Sequence, residues 1–175
     1  MSEESLHLIE AQLLGQQGGK LHLMESEEVQ LACQRLAEQA VRRLDLFTFD
    51  LDATLFDSKP FLEAVKRLTI GSPLSRVSIL LQDNHKVQTQ GHRLLELARR
   101  LTSKIEIRRP HADHINQLEN YLLADECGYL LRPLHTSYEA DTDFNDRYHA
   151  RGLTEKFIEV WECSEPDSML RRLYL

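Results

Sequence analysis

The sequence predicts a single α/β domain built on a mixed, mainly parallel sheet with helices on both faces. Three observations predict it. Strand-like and helix-like segments alternate through the middle of the chain, the order that places crossover helices on a sheet. The strand-like segments LDLFTFDL (44–51) and RVSILLQD (76–83) are near-continuous apolar runs, as in strands buried on both faces. The 175 residues, 42% hydrophobic and 28% charged, fit one ordinary globular domain. A chain of that size buries roughly 70% of its unfolded surface and needs no metal or disulfide to hold a core.

Residues 1–25 read as a peripheral segment, because GQQGG (15–19) is polar and flexible; the domain proper is expected over 26–175. Ser26 fits a helix N-cap followed by Glu27 and Glu28. Val29, Cys33, Leu36, Ala40 and Leu44 then make one apolar stripe. The strand LDLFTFDL follows, and Ser58 with Pro60 opens a second helix carrying Phe61, Leu62, Val65 and Leu68, which Gly71-Ser72-Pro73 ends. After the strand RVSILLQD, the segment NHKVQTQG reads as a polar loop, and a helix from about Gly91 to Leu101 turns Leu94, Leu95, Ala98 and Leu101 inward. KIEIRR is a strand with Ile105 and Ile107 alternating. NYLLAD and GYLLRP form a strand pair around Asp125-Glu126-Cys127-Gly128. Glu139 to Asp146 reads as an acidic loop. A last helix carries Ala150, Leu153, Phe157, Val160 and Trp161, and the tail is expected to pack through Leu170, Leu173 and Tyr174.

A net charge of −7 argues against nucleic acid as a partner, since phosphate backbones are bound by clustered Lys and Arg. Cys33, Cys127 and Cys163 are far apart with no CxxC, and the first residues are acidic where a secretory leader is basic. No apolar run approaches the roughly 18 residues of a membrane span. A cytoplasmic location is the expectation.

One motif invites a catalytic reading. FDLDATLFDS (49–58) resembles the aspartate-nucleophile motif of the haloacid dehalogenase superfamily. That resemblance implies Asp50 as nucleophile, Asp52 as acid, Thr54 behind them and magnesium between the two carboxylates. The rest of that pattern is missing. Ser78 falls inside its strand, Gln82-Asp83 stands where a hydroxyl belongs, and the distal acidic group DTDFND follows a loop. A turn with a helix cap is the preferred reading, and a magnesium-dependent phosphatase the alternative.

A longer resemblance runs from about Val29 to Asp167. LAEQAVRRLDLFTFDL, FLEAVKRL, RVSILLQD, GHRLLELARRL, KIEIRRP, ENYLLADECGYLLRP and EKFIEVWE follow one another as the segments of one half of a phospholipase D-like domain do. The chain is similar to bacterial phospholipase D-like domains found alone or beside GNAT-superfamily acetyltransferases. Enzymes of the family carry HxKxxxxD on the first strand of the pair. With Asp125 as the aspartate, the histidine position is Leu118 and the lysine position Asn120, and the glycine-serine step falls near Leu131-Arg132. Frames starting at His111 or His114 put Asp113 or Asn116 at the lysine position. Without imidazole and ammonium there is no phosphohistidine intermediate. The resemblance therefore implies the fold with a degenerate active site, and a homodimer, since the enzymes face two such halves together.

Lesser clusters complete the reading. His111, Asp113, His114 and Glu119 read as a polar loop, with metal ligation as the alternative. Arg99, Arg100, Lys104, Arg108 and Arg109 read as a helix end and strand edge, with an anion cleft as the alternative. The function expected is a non-catalytic module that binds a partner protein or a small anionic ligand, with no cofactor and no metal. Asp52, Asp83, Asp125 and Arg132, at predicted strand ends or the hairpin, are the residues expected to line its cleft.

Overall fold

A computed structural model describes residues 3–171. Its centre is one eight-stranded sheet. In chain order the strands are β1 (Leu21–Leu23), β2 (Arg43–Thr48), β3 (Arg76–Leu81), β4 (Ile105–Arg109), β5 (Asn120–Ala124), β6 (Gly128–Arg132), β7 (Ala140–Asp143) and β8 (Glu165–Pro166). Across the sheet they run β1-β7-β6-β5-β2-β3-β4-β8. The expected α/β class holds, but the sheet is mostly antiparallel rather than mainly parallel. Only β2–β3 and β3–β4 are parallel pairs, and the other neighbours all run antiparallel. The reason lies in the connections: parallel neighbours need a crossover, and helical connections join strands adjacent in the sheet only from β2 to β3 and from β3 to β4.

Strand alternation divides the core in two. Leu44 and Leu46 of β2 face a layer of α1 (Glu3–Glu10), α2 (Ser26–Gln39), α4 (Lys59–Gly71) and α6 (Arg93–Arg100), together with Val77, Ile79, Leu122 and Leu130. Phe47 faces the other way, where Leu80, Tyr121, Leu123 and Tyr129 are covered by Ala150, Phe157 and Val160 of α7 (Arg147–Glu162). Phe47 and Tyr121 stack with ring centroids 5.2 Å apart. Helix α4 begins as expected: Ser58 Oγ accepts the Phe61 amide and Pro60 occupies the first turn. Gly128 packs closely, since a Cβ there would lie 2.4 Å from Leu14 Cδ1 and 3.0 Å from Leu36 Cδ2 and both leucine side chains would have to shift.

Several boundaries differ from the sequence reading. Helix α2 is capped by Glu25, with the Glu28 carboxylate accepting the Met24 and Glu25 amides, and it ends at Gln39; Leu44 belongs to the strand. The 85–90 stretch is a short helix, α5 (His85–Gln90), not a loop. The acidic segment contains β7. The GQQGG stretch is tied down, with the Gly15 amide donating to Phe144 O and the Gly19 amide to Asp143 Oδ2, and it leads into the edge strand β1. Ile9 of α1 is fully buried. The tail forms β8 and α8 (Ser168–Arg171) and buries Leu170; Leu173 and Tyr174 lie outside the described residues. No described helix is long and apolar enough to cross a membrane.

One charge sits deep under α7. Asp45 of β2 is 1% exposed and ion-paired with Arg43 Nε, while its Oδ1 has no hydrogen-bond partner. Burial outweighs the Arg43 charge and raises its pKa to about 6. The folded state therefore holds the Asp45 proton more tightly than the unfolded chain. Stability falls as pH rises from about 4 to 6, and the penalty is fully present above that range. It amounts to at most about 3 kcal/mol at 1.36 kcal/mol per pKa unit. We expect Asp45→Asn to gain in stability over the parent progressively between pH 4 and 6 in urea unfolding; a difference independent of pH would contradict the assignment.

Candidate functional site

The carboxyl ends of β2 and β3 open into a cleft of about 650 Å³. Beside them the strand order turns back, because the chain leaves β4 and returns as β5 on the far side of β2. Such a reversal leaves a crevice where two connections depart in opposite directions. The chain after β2 is locally strained. Leu51 adopts φ 56°, a conformation that costs a branched residue roughly 1–2 kcal/mol. It is held there by full burial and by its amide donating to Thr48 Oγ1 at 3.1 Å. This twist sends Asp50 and Asp52 to different partners. Asp52 caps the short helix α3 (Ala53–Phe56), its Oδ1 accepting the Thr54 amide at 2.9 Å. Asp50 Oδ2 pairs with Lys86 Nζ of α5 at 2.5 Å, which holds the ammonium above its ordinary pKa.

Arg132, at the end of β6, is the buried charge of the cleft. Its side chain is 3% exposed. Nε donates to Ser137 O at 2.9 Å and Nη2 to His135 O at 2.8 Å, closing the 132–138 loop, and the guanidinium lies 5.0 Å over the Tyr138 ring. Nη1 stands 3.6 Å from Asp52 Oδ2, near enough to balance charge, yet it makes no hydrogen bond. His92 is the second buried donor. Its Nδ1 accepts the Leu94 amide as the cap of α6, so the neutral ring carries its proton on Nε2, which the Leu51 carbonyl attracts although no well-formed hydrogen bond closes. Burial lowers the His92 pKa, against the opposing pull of Asp57 and the Leu51 carbonyl, and so favours that neutral form.

Three of the four residues expected from sequence thus meet in the cleft: Asp52, Asp83 and Arg132. Asp125 does not. It sits in the β5–β6 turn beside Arg43, the start of β2 rather than its end, and a strand of that length sets the two ends roughly 17 Å apart. Its carboxylate accepts three backbone amides, of Val41, Arg42 and Arg43, at 2.8–2.9 Å. Phe49, Lys86, His92 and His135 also line the cleft and were not found from sequence. The one available signal was Gly91 followed by His92: Gly91 has φ 75° and terminates α5, and the next residue must then cap α6.

The phosphatase alternative gains no support, because Asp50 and Asp52 diverge. No group of three His, Cys, Asp or Glu side chains among the described residues could hold a metal ion. In the 111–119 segment His111 turns to Asp113, while Glu119 pairs with Lys156 at 2.6 Å. The basic stretch is mostly structural: Arg99 donates to Leu170 O, Lys104 Nζ to the carbonyls of Ser72, Pro73 and Ser75, and Arg108 stacks on Trp161. The acidic stretch pairs elsewhere, Asp141 with Lys20 and His22 and Asp146 with His149.

A sheet of this order with its cleft at the β2 end defines a phospholipase D-like fold, and solved structures agree. Nuc from Salmonella typhimurium, a phospholipase D family member, superposes with a TM-score of 0.62 at 12% identity over 86% of this chain and 98% of that one. NucT from Helicobacter pylori gives 0.61 at 9% identity over 86% and 99%. TrmBL2, an archaeal chromatin protein described as having a novel mode of DNA binding, gives 0.62 at 20% identity; the match covers 94% of this chain and only 60% of TrmBL2. At such identities the likeness is one of fold. No curated protein matches in sequence. Residues 25–173 match the family described as Domain of unknown function (DUF7931), and the chain belongs to that family.

The placement of Asp125 yields a test. Asp125→Ala leaves three backbone amides without their acceptor and is expected to cost about 2–3 kcal/mol in chemical unfolding. A cost below 0.5 kcal/mol would deny it that anchoring role.

Proposed function

We propose that this domain is a non-catalytic binding module of the phospholipase D-like fold, which seats an anionic group of a small ligand or a partner protein at Arg132. The observation that carries the reading is the Arg132 Nη1 donor, buried at the cleft wall with its charge balanced by Asp52 but its hydrogen bond unmade. The family frame supports the absence of turnover. Leu118, at the histidine position, is 57% exposed at the mouth of β5. Asn120, at the lysine position, is buried and spends its Oδ1 on the Phe49 amide at 3.0 Å. Neither side chain can attack phosphorus or neutralise it. Nucleic acid is the less favoured partner, because the cleft holds three carboxylates against two permanent cations, and the chain carries −7 overall.

We take residues 26–175 as the domain proper and 1–25 as an addition to it, which packs α1 into the helix layer and adds β1 at one sheet edge. A cytoplasmic setting suits the three free cysteines, two of them buried, with burial pushing the Cys33 thiol up to about 12. The relation to domains found beside GNAT-superfamily acetyltransferases carries no acetyltransferase activity with it.

Calorimetric titration with acetate and with inorganic phosphate tests the reading. At least one should bind, and Arg132→Gln should weaken it tenfold or more. Because that variant also loses loop contacts, Asp52→Asn is the second arm: its amide oxygen can still cap α3, while removal of the competing carboxylate should tighten anion binding. Hydrolysis of an aryl phosphate or phosphodiester with magnesium, abolished by Asp50→Asn, would overturn the proposal.

A homodimer is the second element of the reading. Leu118 and Leu134 stand exposed at the same end of the sheet as the cleft, where two copies of this fold would face one another. Light scattering should give twice the chain mass at tens of micromolar; a monomer at that concentration removes the dimer and leaves the binding reading intact.

A further inference from the structure

Resting on the reading of Arg132 as an anion seat, the charge map of the cleft narrows what can fill it. Its permanent charges are Asp50, Asp52 and Asp83 against Lys86 and Arg132, a balance of one negative. Two of the carboxylates are matched, Asp50 by Lys86 and Asp52 by Arg132. Asp83 is not. It makes no ion pair among the described residues, and its one recorded hydrogen bond is Oδ1 accepting the His85 amide at 2.9 Å. The site therefore has opposite poles. At one, the buried donor Arg132 Nη1 lacks an acceptor. At the other, the Asp83 carboxylate has no cation in contact among the described residues. A bare phosphate dianion would bring the cleft to three negative charges and leave Asp83 unmatched. A ligand carrying both a carboxylate and an ammonium satisfies both poles and leaves the balance unchanged.

Shape adds the third element. A cleft of about 650 Å³ is far larger than acetate or glycine needs and lies within the range of roughly 300–1,000 Å³ usual for small-molecule sites. One wall is flat and aromatic: the Phe49 and His135 rings stack at 4.0 Å and 13°. Leu51, Val87 and Tyr138 extend the apolar lining. We infer that the cleft takes a small amino-acid-like zwitterion with an aromatic or apolar side group. Its carboxylate meets Arg132, its ammonium meets Asp83, and its side group lies along Phe49 and His135.

Three isosteric probes separate these elements: L-phenylalanine, 3-phenylpropionate, which lacks the ammonium, and 2-phenylethylamine, which lacks the carboxylate. Each is titrated calorimetrically into the full chain. L-phenylalanine should bind at least tenfold more tightly than either deletion analogue. Asp83→Asn, which keeps an oxygen for the His85 amide, should bring the preference for L-phenylalanine over 3-phenylpropionate close to unity. If 3-phenylpropionate binds as well as L-phenylalanine, or if Asp83→Asn leaves the preference unchanged, the zwitterion inference falls and the anion seat stands. If acetate or inorganic phosphate binds and no phenyl compound does, the inference falls in the same way. If no carboxylate and no phosphate binds, both readings fall together.

Discussion

A guanidinium cannot be buried without acceptors, and Arg132 organises one end of this molecule by finding them. Two are carbonyls of the loop that follows it, so the 132–138 segment folds back around its own arginine. The Asp52 carboxylate supplies the countercharge from across the sheet. The Tyr138 ring covers the guanidinium plane. Loop, cap and cleft wall thus depend on a single charge, which is bound on three sides and left open on the fourth.

The same end of the sheet explains why FDLDATLFDS resembles a phosphatase motif. After Thr48 the chain must leave β2, turn through a left-handed residue at Leu51 and start a helix within four residues. A short carboxylate is the usual device for opening a helix, and Asp52 serves in that role. Asp50 is turned outward to meet α5 through Lys86. Asn120 continues the pairing of β5 with β2 one step past the strand by accepting the Phe49 amide. Two aspartates one residue apart arise here from a turn, a cap and an ion pair, with no shared metal required.

Much of this was legible in the chain because the strongly patterned segments carry their own instructions. The stripe of α4 behind Ser58 and Pro60, the apolar runs of β2 and β3 and the β5–β6 pair all fold as their patterns imply. Weakly patterned segments did not show. Helix α5 buries Val87 alone. Strand β7 reads ADTD because its inward positions are the small Ala140 and Thr142, the latter donating to Tyr129 O, while Asp141 faces Lys20 and His22. Misplacing Asp125 has the same origin as expecting a parallel sheet. In a parallel arrangement the end of β5 would lie with the ends of β2 and β3. Because β5 runs antiparallel to β2, its end falls at the opposite edge, and β6, reversed once more, delivers Arg132 to the cleft. Strand direction is set by connection length and partner choice, which residue patterns within a strand do not record.

Unmade hydrogen bonds alone do not mark a site in this protein. Asp45 Oδ1 and Tyr121 Oη are buried without partners under α7, yet neither lines the cleft, and their cost is met by the packing of Phe47, Phe157 and their neighbours. The cleft differs in what coincides there. A left-handed leucine, a charged donor without an acceptor and a carboxylate with no cation in contact all border one open volume. Penalties scattered through a core can be residue of imperfect packing. Penalties that converge on a cavity are what the proposed ligand seat rests on. The phospholipase D-like scaffold supplies the crevice, and the side chains that stand in it, rather than the fold, set its chemistry.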